Sequence, residues 1–201
     1  MKGLGAILLA ALALVASGCG AERTAKAAPA KPACPKAWRA GWQALANRIH
    51  APVYCPTWMP QPIDARIGGE WNTIRSVSRD RSYLMGFAWQ ELGNGSGEVH
   101  VNLRGFPGKR AIPRCPDTVG GHKRLAPCFS DPNGRVRANG IVATRYTVNQ
   151  GADQWHVLYA WHLQRSLYTI SEHVAAPLTY RKVDANLTRM LRTLVLLRPQ
   201  S

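Results

Sequence analysis

The chain has 201 residues, and its 26 basic against 11 acidic residues give a net charge of +15 at neutral pH. So large a positive excess predicts attraction to anionic surfaces, but it does not specify a fold. About 165 residues remain from position 36 onward, which is enough for one domain with a single core and too few for two domains.

Residues 1–18 have the pattern of an export signal. Lys2 precedes an uncharged run, residues 3–15, that is rich in Ala and Leu. This run is shorter than the roughly 20 residues that a helix needs to cross a bilayer, and it ends in small residues, so it does not predict a permanent transmembrane helix. Removal of the signal leaves 25 of the 26 basic residues and a net charge of +14.

Ala16-Ser17-Gly18-Cys19 resembles the lipobox of bacterial lipoproteins. In that family the small residues admit the chain to the lipoprotein signal peptidase, and the cysteine thiol receives a diacylglyceryl group. The resemblance implies cleavage before Cys19 and attachment of the mature chain to a bacterial membrane, outside the cytoplasm. Ordinary secretion with cleavage nearby is the alternative. Residues 19–35 contain no large apolar side chain and predict a lipidated flexible tether.

Four cysteines remain once Cys19 carries lipid: Cys34, Cys55, Cys115 and Cys128. An even number of cysteines in an exported chain predicts disulfides. Three pairings can be drawn. We favour Cys34 with Cys55 and Cys115 with Cys128, because each bond closes a loose segment and contributes about 3 kcal/mol. A zinc site is the alternative, although no two of these cysteines have the short spacing usual for structural zinc ligands.

The predicted domain, residues 36–201, begins with an amphipathic helix over residues 36–49. One face of that helix carries Trp38, Trp42, Leu45 and Ile49. Prolines exclude helix from residues 51–60 and predict an extended segment there.

Antiparallel strands are predicted over most of the remaining chain. Residues 82–91 and 98–104 form a hairpin around a glycine-rich turn, and residues 136–148 contain a second hairpin with an Asn-Gly turn. Residues 105–134 lack regular signals and are predicted to be a long loop that the Cys115–Cys128 disulfide holds.

A further hairpin is predicted around a two-residue turn near Gln164-Arg165. This turn sets Trp161 opposite Tyr168 in an aromatic ladder. We interpret the ladder as core, and a carbohydrate or ligand platform is the alternative. The first strand of the hairpin is predicted to present on one face Trp155, Val157, Tyr159, Trp161 and Leu163. The apolar positions of a closing amphipathic helix are Val183, Leu187, Met190, Leu191, Leu194 and Val195.

These elements predict an α+β fold, with an antiparallel β-sheet of about 5–7 strands and an N-terminal and a C-terminal amphipathic helix packed on it. The extended segment 53–60 (VYCPTWMP), the hairpin from Trp161 to Tyr168 and the closing helix are similar to small envelope domains related to the RseB/MucB sigma-factor regulators and to lipoprotein-carrier half-barrels. The resemblance implies a curved sheet whose concave face receives an apolar ligand or a partner peptide.

The sequence contains no specific catalytic motif, and we predict that the protein is not an enzyme. A serine hydrolase needs a nucleophile elbow, and the near match at residues 95–97 (GSG) lies in a predicted turn. The predicted disulfides leave no thiol for a cysteine protease. A carboxylate pair for an envelope hydrolase stays open, with candidates at Asp64, Glu70, Asp80, Glu91 and Glu98.

The histidines do not predict a metal site. His156 and His162 share one strand face, but six residues of strand separate them by about 20 Å. His100 and His173 approach each other only if their strands pair, which the sequence does not reveal. We therefore predict no metal and no cofactor other than the diacylglycerol on Cys19.

Two functions from different classes remain. The first is a monomeric, membrane-anchored binding or regulatory module of the cell envelope, whose ligand is an envelope protein, a lipid or an anionic cell-wall polymer. The second is a structural or adhesive lipoprotein whose basic surface docks on anionic envelope polymers. An exported, tethered chain rarely meets nucleic acid, so none is predicted. Basic residues spread over solvated faces without a partner are the alternative. The candidate ligand or anion contacts are Lys109, Arg110, Arg135 and Arg137.

Overall fold

The structure is a computed structural model that describes residues 31–61, 63, 71–72, 76–89, 99–119, 121–148 and 155–200. The described residues from 32 onward belong to one compact unit, Pro32–Ser201. The predicted signal, Cys19, the tether up to residue 30 and the predicted turns at residues 93–97 and 149–154 lie outside the described residues. The elements in chain order are α1 (Lys36–Ile49), β1 (Val53–Cys55), β2 (Trp71–Asn72), β3 (Tyr83–Trp89), β4 (Val99–Phe106), β5 (Arg114–Val119), β6 (His122–Pro127), β7 (Pro132–Ala138), β8 (Ile141–Val148), β9 (His156–Leu163), β10 (Ser166–His173), α2 (Tyr180–Thr193) and β11 (Val195–Leu197).

Seven of these strands form the main sheet, in the order β2-β3-β4-β10-β9-β8-β7. Every neighbouring pair in it is antiparallel. Strands β7 to β10 follow one another as a meander, and β3 pairs with β4 as the sequence predicts. The pairing of β4 with β10 joins parts of the chain that are far apart in sequence. A mostly antiparallel sheet with two helices confirms the α+β class.

The β9–β10 hairpin has the register that the sequence predicts. Gln164 and Arg165 form its turn, and Gln164 adopts a positive φ of 55°. Trp161 lies opposite Tyr168, and their ring centroids are 6.1 Å apart. Both side chains are buried, so the ladder belongs to the core, as we interpreted it.

One face of the main sheet, here called the inner face, packs against both helices. Alternation along β4 points Val101 and Leu103 into this core, and Trp38 of α1 contacts Phe87 of β3 with ring centroids 5.4 Å apart. Each large apolar side chain buried here contributes about 1.5–3 kcal/mol. The helices contribute to the same cluster the buried residues Trp38, Trp42, Leu45, Ile49, Val183, Leu187, Met190 and Leu191.

Three regions differ from the prediction. The stretch predicted as a long loop contains the antiparallel hairpin β5–β6, whose strands carry prolines and charged residues and therefore show no apolar alternation. β1 pairs with the C-terminal strand β11, so Val195 lies in a strand and not in the closing helix. Trp155 precedes β9, has a positive φ of 61° and is 61% exposed, so it does not share the apolar face of that strand.

Both disulfides of the favoured pairing are present, Cys34–Cys55 and Cys115–Cys128. Disulfides form and persist in oxidising compartments. The structure therefore indicates an oxidising, extracytoplasmic environment. Within the part of the chain that the structure describes, no helix has the length and apolar character needed to span a bilayer.

The folded domain begins before residue 36. Cys34 is buried and covalently joined to Cys55. The carbonyl oxygen of Pro35 accepts backbone hydrogen bonds from Trp38 and Arg39, each at 2.9 Å. These contacts join Cys34 and Pro35 to the domain.

A small polar network fixes α2 to the inner face. The hydroxyl of Tyr159 donates to a carboxylate oxygen of Asp184 at 2.7 Å, and Arg145 pairs with the same carboxylate at 3.1 Å. Burial raises the pKa of Tyr159 well above its ordinary value. The hydroxyl therefore stays protonated, and it remains a donor to the helix at neutral pH.

Glu172 is a fully buried carboxyl group on the inner face of β10. Its Oε1 accepts a hydrogen bond from Asn186 of α2 at 2.8 Å, whereas its Oε2 has no hydrogen-bond partner among the described residues. Burial raises the pKa of Glu172 to about 8. The folded protein therefore favours the protonated acid at neutral pH.

We expect Glu172→Gln to stabilise the protein in a pH-dependent way. The pKa of Glu172 is raised from 4.5 to about 8 on folding, so the wild type loses stability as pH rises through this window, by up to about 1.4 kcal/mol per pH unit. The neutral amide has no such loss. Urea unfolding should show a small difference between variant and wild type at pH 4, a growing difference up to pH 8 and a constant one above it. A difference that is the same at every pH contradicts this account.

Candidate functional site

Three histidines lie side by side on the outer face of the main sheet, the face opposite the helices. His156 lies opposite His173 in the β9–β10 pair. The β4–β10 register, with Val101 opposite Glu172, continues so that His100 lies opposite His173. The three histidines therefore occupy one row across β4, β10 and β9, which we call the histidine row.

The imidazole rings of the histidine row are close to one another. The ring centroids are 4.5 Å apart for His100 and His156, 4.9 Å for His100 and His173, and 5.1 Å for His156 and His173. His100 and His156 lean toward each other above β10, and their Nε2 atoms are 2.6 Å apart. His156 is buried, while the other two side chains are half-buried.

The contact between the two Nε2 atoms limits the charge that this arrangement accepts. A hydrogen bond between two imidazole nitrogens needs one N–H and one lone pair. If both nitrogens carried a proton, two donors would face each other. The arrangement therefore holds one proton between His100 and His156, and any further cation there requires the two rings to move apart.

Polar side chains continue along the same face of β4 and β10. Asn102 and Ser171 lie opposite each other in the next row, and Thr169 follows two residues further on. All three are buried. On the inner face of the same two strands the side chains of Leu103 and Ile170 belong to the apolar core. Burying polar groups costs free energy unless they are hydrogen-bonded, so apolar packing alone does not account for this polar strip.

The segment between β4 and β7 covers another part of the outer face. Cys128 and Phe129 of that segment form an apolar cluster with Leu158 and Leu167 of the sheet. The ring of Phe129 also meets that of Tyr146, with centroids 4.9 Å apart. The outer face thus has an apolar part under this segment and a polar strip that ends in the histidine row.

The four predicted cationic contacts do not lie in one patch. Arg135 and Arg137 are exposed on the edge strand β7. Lys109 follows β4, four strand spacings or about 19 Å from β7, and it pairs with Asp80. The hydrogen bond from Lys109 holds the pKa of Asp80 well below its usual range. Arg110 lies close to β9, between Lys109 and the two arginines of β7. Its carbonyl oxygen is 2.9 Å from Nε2 of His162.

Hairpin β5–β6 carries a further group of basic residues, and we call it the cationic hairpin. The register places Arg114, Lys123 and Leu125 on one side of it. All three are exposed, and Leu125 is 57% exposed. On the other side Arg124 pairs with Asp117 at 3.1 Å. The sequence does not single out these residues, because nothing in the stretch predicted as a loop indicates that they share one side of a hairpin.

The histidine row was not predicted as a group. His156 and His162 share one strand face, as predicted, but they lie at opposite ends of β9, where His162 is opposite Leu167. The turn at residues 164–165 already implies that His156 lies opposite His173, so this pair could have been predicted from the sequence. The place of His100 was not, because no local pattern indicates that β4 and β10 are neighbours.

Comparisons of the chain with protein-family models, with curated proteins and with solved structures find no match. The resemblances to bacterial lipoproteins and to RseB/MucB-related domains therefore stay predictions. As the described side chains stand, no group of three or more His, Cys, Asp or Glu residues among them is placed to hold a metal ion. The functional proposal consequently depends on the geometry of the described residues.

We expect loss of the Cys115–Cys128 disulfide to loosen the segment over the apolar part of the outer face. The bond spans 13 residues, and a loop of this size is worth about 3 kcal/mol in the chain-entropy model. Replacing both cysteines by Ala should lower the free energy of unfolding by about this amount. Hydrogen exchange should speed up in residues 107–131 and stay slow in β9 and β10. Equal loss of protection in α1 and α2 would mean that the bond does not act locally.

Proposed function

We propose that the protein is an extracytoplasmic binding lipoprotein, with a lipid anchor on Cys19, a tether and one domain that binds its ligand at the histidine row. The lipobox-like sequence that ends in Cys19 supports the anchor. The two disulfides add support, because they use all four of the other cysteines. Attachment by two or more acyl chains is stable, whereas one chain binds only marginally. A tether of residues 20–33 would reach about 40 Å at a polyproline-like rise.

The observation that carries the binding function is the histidine row itself. Three separate segments of the chain each deliver one histidine to the same level of adjacent strands. Packing alone favours apolar residues at such positions, as on the inner face of these strands. The row lies on the face that the helices leave uncovered, and His100 and His173 keep part of their surface exposed. The exposed parts of these two side chains are therefore accessible from the outer face.

Binding, and not catalysis, is the chemistry that the described arrangement favours. Nucleophilic catalysis needs a hydroxyl or thiol within hydrogen-bond reach of a base. The Nε2 atoms of His100 and His156 instead contact each other. The four cysteines of the domain are bonded in pairs and offer no thiolate. Glu172 neighbours the row in sequence, but alternation along β10 places its carboxyl group on the opposite face of the sheet.

A second function, docking on an anionic envelope polymer, is favoured by the cationic hairpin and the edge of β7. Lys123, Arg135 and Arg137 are exposed, and the described residues give none of them an ion pair. An exposed cation near an anionic surface contributes about 1 kcal/mol before screening by salt. This docking would involve a surface other than the histidine row, so the two functions can be tested separately.

We expect Cys19→Ala to abolish lipid attachment. The thiol is the only group at this position that can form the thioether, so the variant should incorporate no labelled palmitate and should leave the membrane fraction. Ser17→Ala is the matched control, because it keeps a small residue in the same segment and should retain both label and membrane attachment. A Cys19→Ala protein that is processed normally and stays in the envelope contradicts the anchor.

We expect the native protein to retain a ligand through the histidine row. The acylated wild type, His173→Ala and His162→Ala are purified from their own envelope in mild detergent and compared by native mass spectrometry. The wild type and His162→Ala should keep the same bound species, since His162 lies on β9 away from the row, and His173→Ala should lose it.

The same preparations separate binding at the row from polymer docking. Salt-tolerant retention that depends on His173 supports the histidine row. Retention that collapses between low and physiological ionic strength, and that is lost when Lys123, Arg135 and Arg137 are changed to Gln, supports docking on an anionic polymer instead. Retention that none of these substitutions changes contradicts both functions.

A further inference from the structure

We infer that the cationic hairpin docks on the anionic lipid surface of the membrane that holds the protein, an inference that rests on the lipid anchor of the proposed function and not on its histidine row. The hairpin is a two-stranded sheet of its own, in which β5 pairs with β6. Its strands carry three basic residues and one acidic residue. The acidic residue, Asp117, pairs with Arg124 on one side of the hairpin. The other side, here called the leucine side, is positive and carries Leu125.

Most of β6 projects from the domain. Alternation along the strand points Lys123 and Leu125 to the leucine side, and His122 and Arg124 to the other side. All four side chains are exposed. A strand that lay flat on the domain would bury one of its two sides. This part of the hairpin therefore reaches into solvent, where it can contact a surface outside the domain.

The leucine side is apolar in the middle and basic on both sides of that apolar part. Pro116 lies directly opposite Leu125. Lys123 precedes Leu125 by two residues, or about 7 Å along the strand. The guanidinium of Arg114 donates a hydrogen bond to the backbone carbonyl oxygen of Leu125, which holds this cation next to the leucine. All four residues are exposed, so the leucine side presents an apolar side chain between two cations.

This combination fits a lipid surface better than a charged polymer. Lys and Arg bury the aliphatic parts of their side chains along apolar surface and keep the charged ends at the polar boundary. On a membrane, Leu125 can enter the boundary between headgroups and acyl chains while Arg114 and Lys123 reach the phosphates. A polyanion in water offers charge alone and leaves Leu125 exposed. The leucine between two cations therefore favours anionic phospholipid.

The hairpin is held in its orientation at its base. The Cys115–Cys128 disulfide joins β5 to the residue that follows β6. The backbone N–H of Cys128 donates to the carbonyl oxygen of Pro113 at 2.8 Å. Cys128 also belongs to the same buried cluster as Leu158 and Leu167 of the main sheet. Docking therefore requires little ordering of the hairpin, which lowers the entropic cost of binding.

The lipid anchor explains how so small a contact can suffice. One leucine and two cations bind a membrane only weakly on their own. An anchor in the same membrane makes docking intramolecular, and a short flexible connection gives an effective concentration in the millimolar range. Docking would hold the domain close to the lipid surface, whereas the tether alone would allow a distance of about 40 Å.

The test uses the native acylated protein, reconstituted in vesicles of phosphatidylcholine alone or of phosphatidylcholine with phosphatidylglycerol. Hydrogen exchange is then measured by mass spectrometry. The anionic vesicles should slow exchange in residues 114–127 and leave it unchanged in α2, which lies on the other face of the main sheet. Leu125→Thr should weaken docking about tenfold, because it removes most of one apolar side chain from the contact. Lys123→Gln should weaken docking about fivefold, because it removes one cation.

Two exposed residues of α2 provide the matched controls. Tyr180→Thr also removes exposed apolar surface, and Arg181→Gln also removes one positive charge, but α2 packs on the inner face of the sheet. Both variants should dock as the wild type does. Far-UV circular dichroism and a count of free thiols check that each variant is folded with both disulfides. Leu125→Ala replaces Leu125→Thr if the latter fails this check.

The outcomes separate the docking from the anchor. Equal exchange of residues 114–127 on neutral and anionic vesicles, in a protein that both kinds of vesicle retain, overturns the docking and leaves the anchor standing. Slowing that Lys123→Gln weakens and Leu125→Thr does not also overturns it, in favour of the purely electrostatic contact that a polymer makes. A protein that neutral vesicles do not retain contradicts the anchor. The docking then stands only if anionic vesicles bind the wild type more tightly than Leu125→Thr.

Discussion

The pairing of β4 with β10 is the interaction on which the rest of the structure depends. It joins the β2-β3-β4 part of the main sheet to the β7–β10 meander, with six residue pairs in register from Leu167 opposite Phe106 to Glu172 opposite Val101. Closing so long a stretch of chain costs conformational entropy before any contact forms. That cost is offset by the apolar core of the inner face, which becomes continuous only when the two parts meet.

The same pairing determines which side chains lie on each face of the sheet. Because side chains alternate along a strand, Ile170 and Glu172 of β10 point to the core while Ser171 and His173 point to the outer face. A slip of one residue in the β4–β10 register would turn His100 into the core and break the row. Apolar packing on one face therefore determines which polar residues meet on the other. Glu172 is the exception on the inner face, where its buried carboxyl group costs stability at neutral pH.

Features with local signals were predicted well from the sequence. The apolar face of α1, the turn between β9 and β10 and the pairing of Cys34 with Cys55 each depend on residues that are close in the chain. Features that depend on distant partners were missed, such as β1 beside β11. The cationic hairpin was missed for another reason, since its strands are mostly exposed and lack apolar alternation.

The residues of the candidate site divide in the same way, into those with a local sequence signal and those without one. The turn at residues 164–165 was enough to place His173 opposite His156, because the register of a hairpin follows from its turn. The third member, His100, belongs to a strand whose neighbour no local pattern reveals. The basic residues chosen from the sequence were conspicuous by charge, yet Lys109 is tied to Asp80 and lies far from the pair on β7. Charge alone does not show which side chains share a surface.

A ligand at the histidine row would act on the pairing that creates the row. His100 and His156 lie on β4 and β9, and His173 lies on β10 between them. Any ligand that holds all three therefore joins the three strands from above and opposes the separation of β4 from β10. Binding only to the folded form stabilises that form in proportion to the logarithm of ligand concentration. Ligand binding and the β4–β10 pairing would then be coupled. The pairing that is hardest to form during folding is the one that the bound ligand would stabilise.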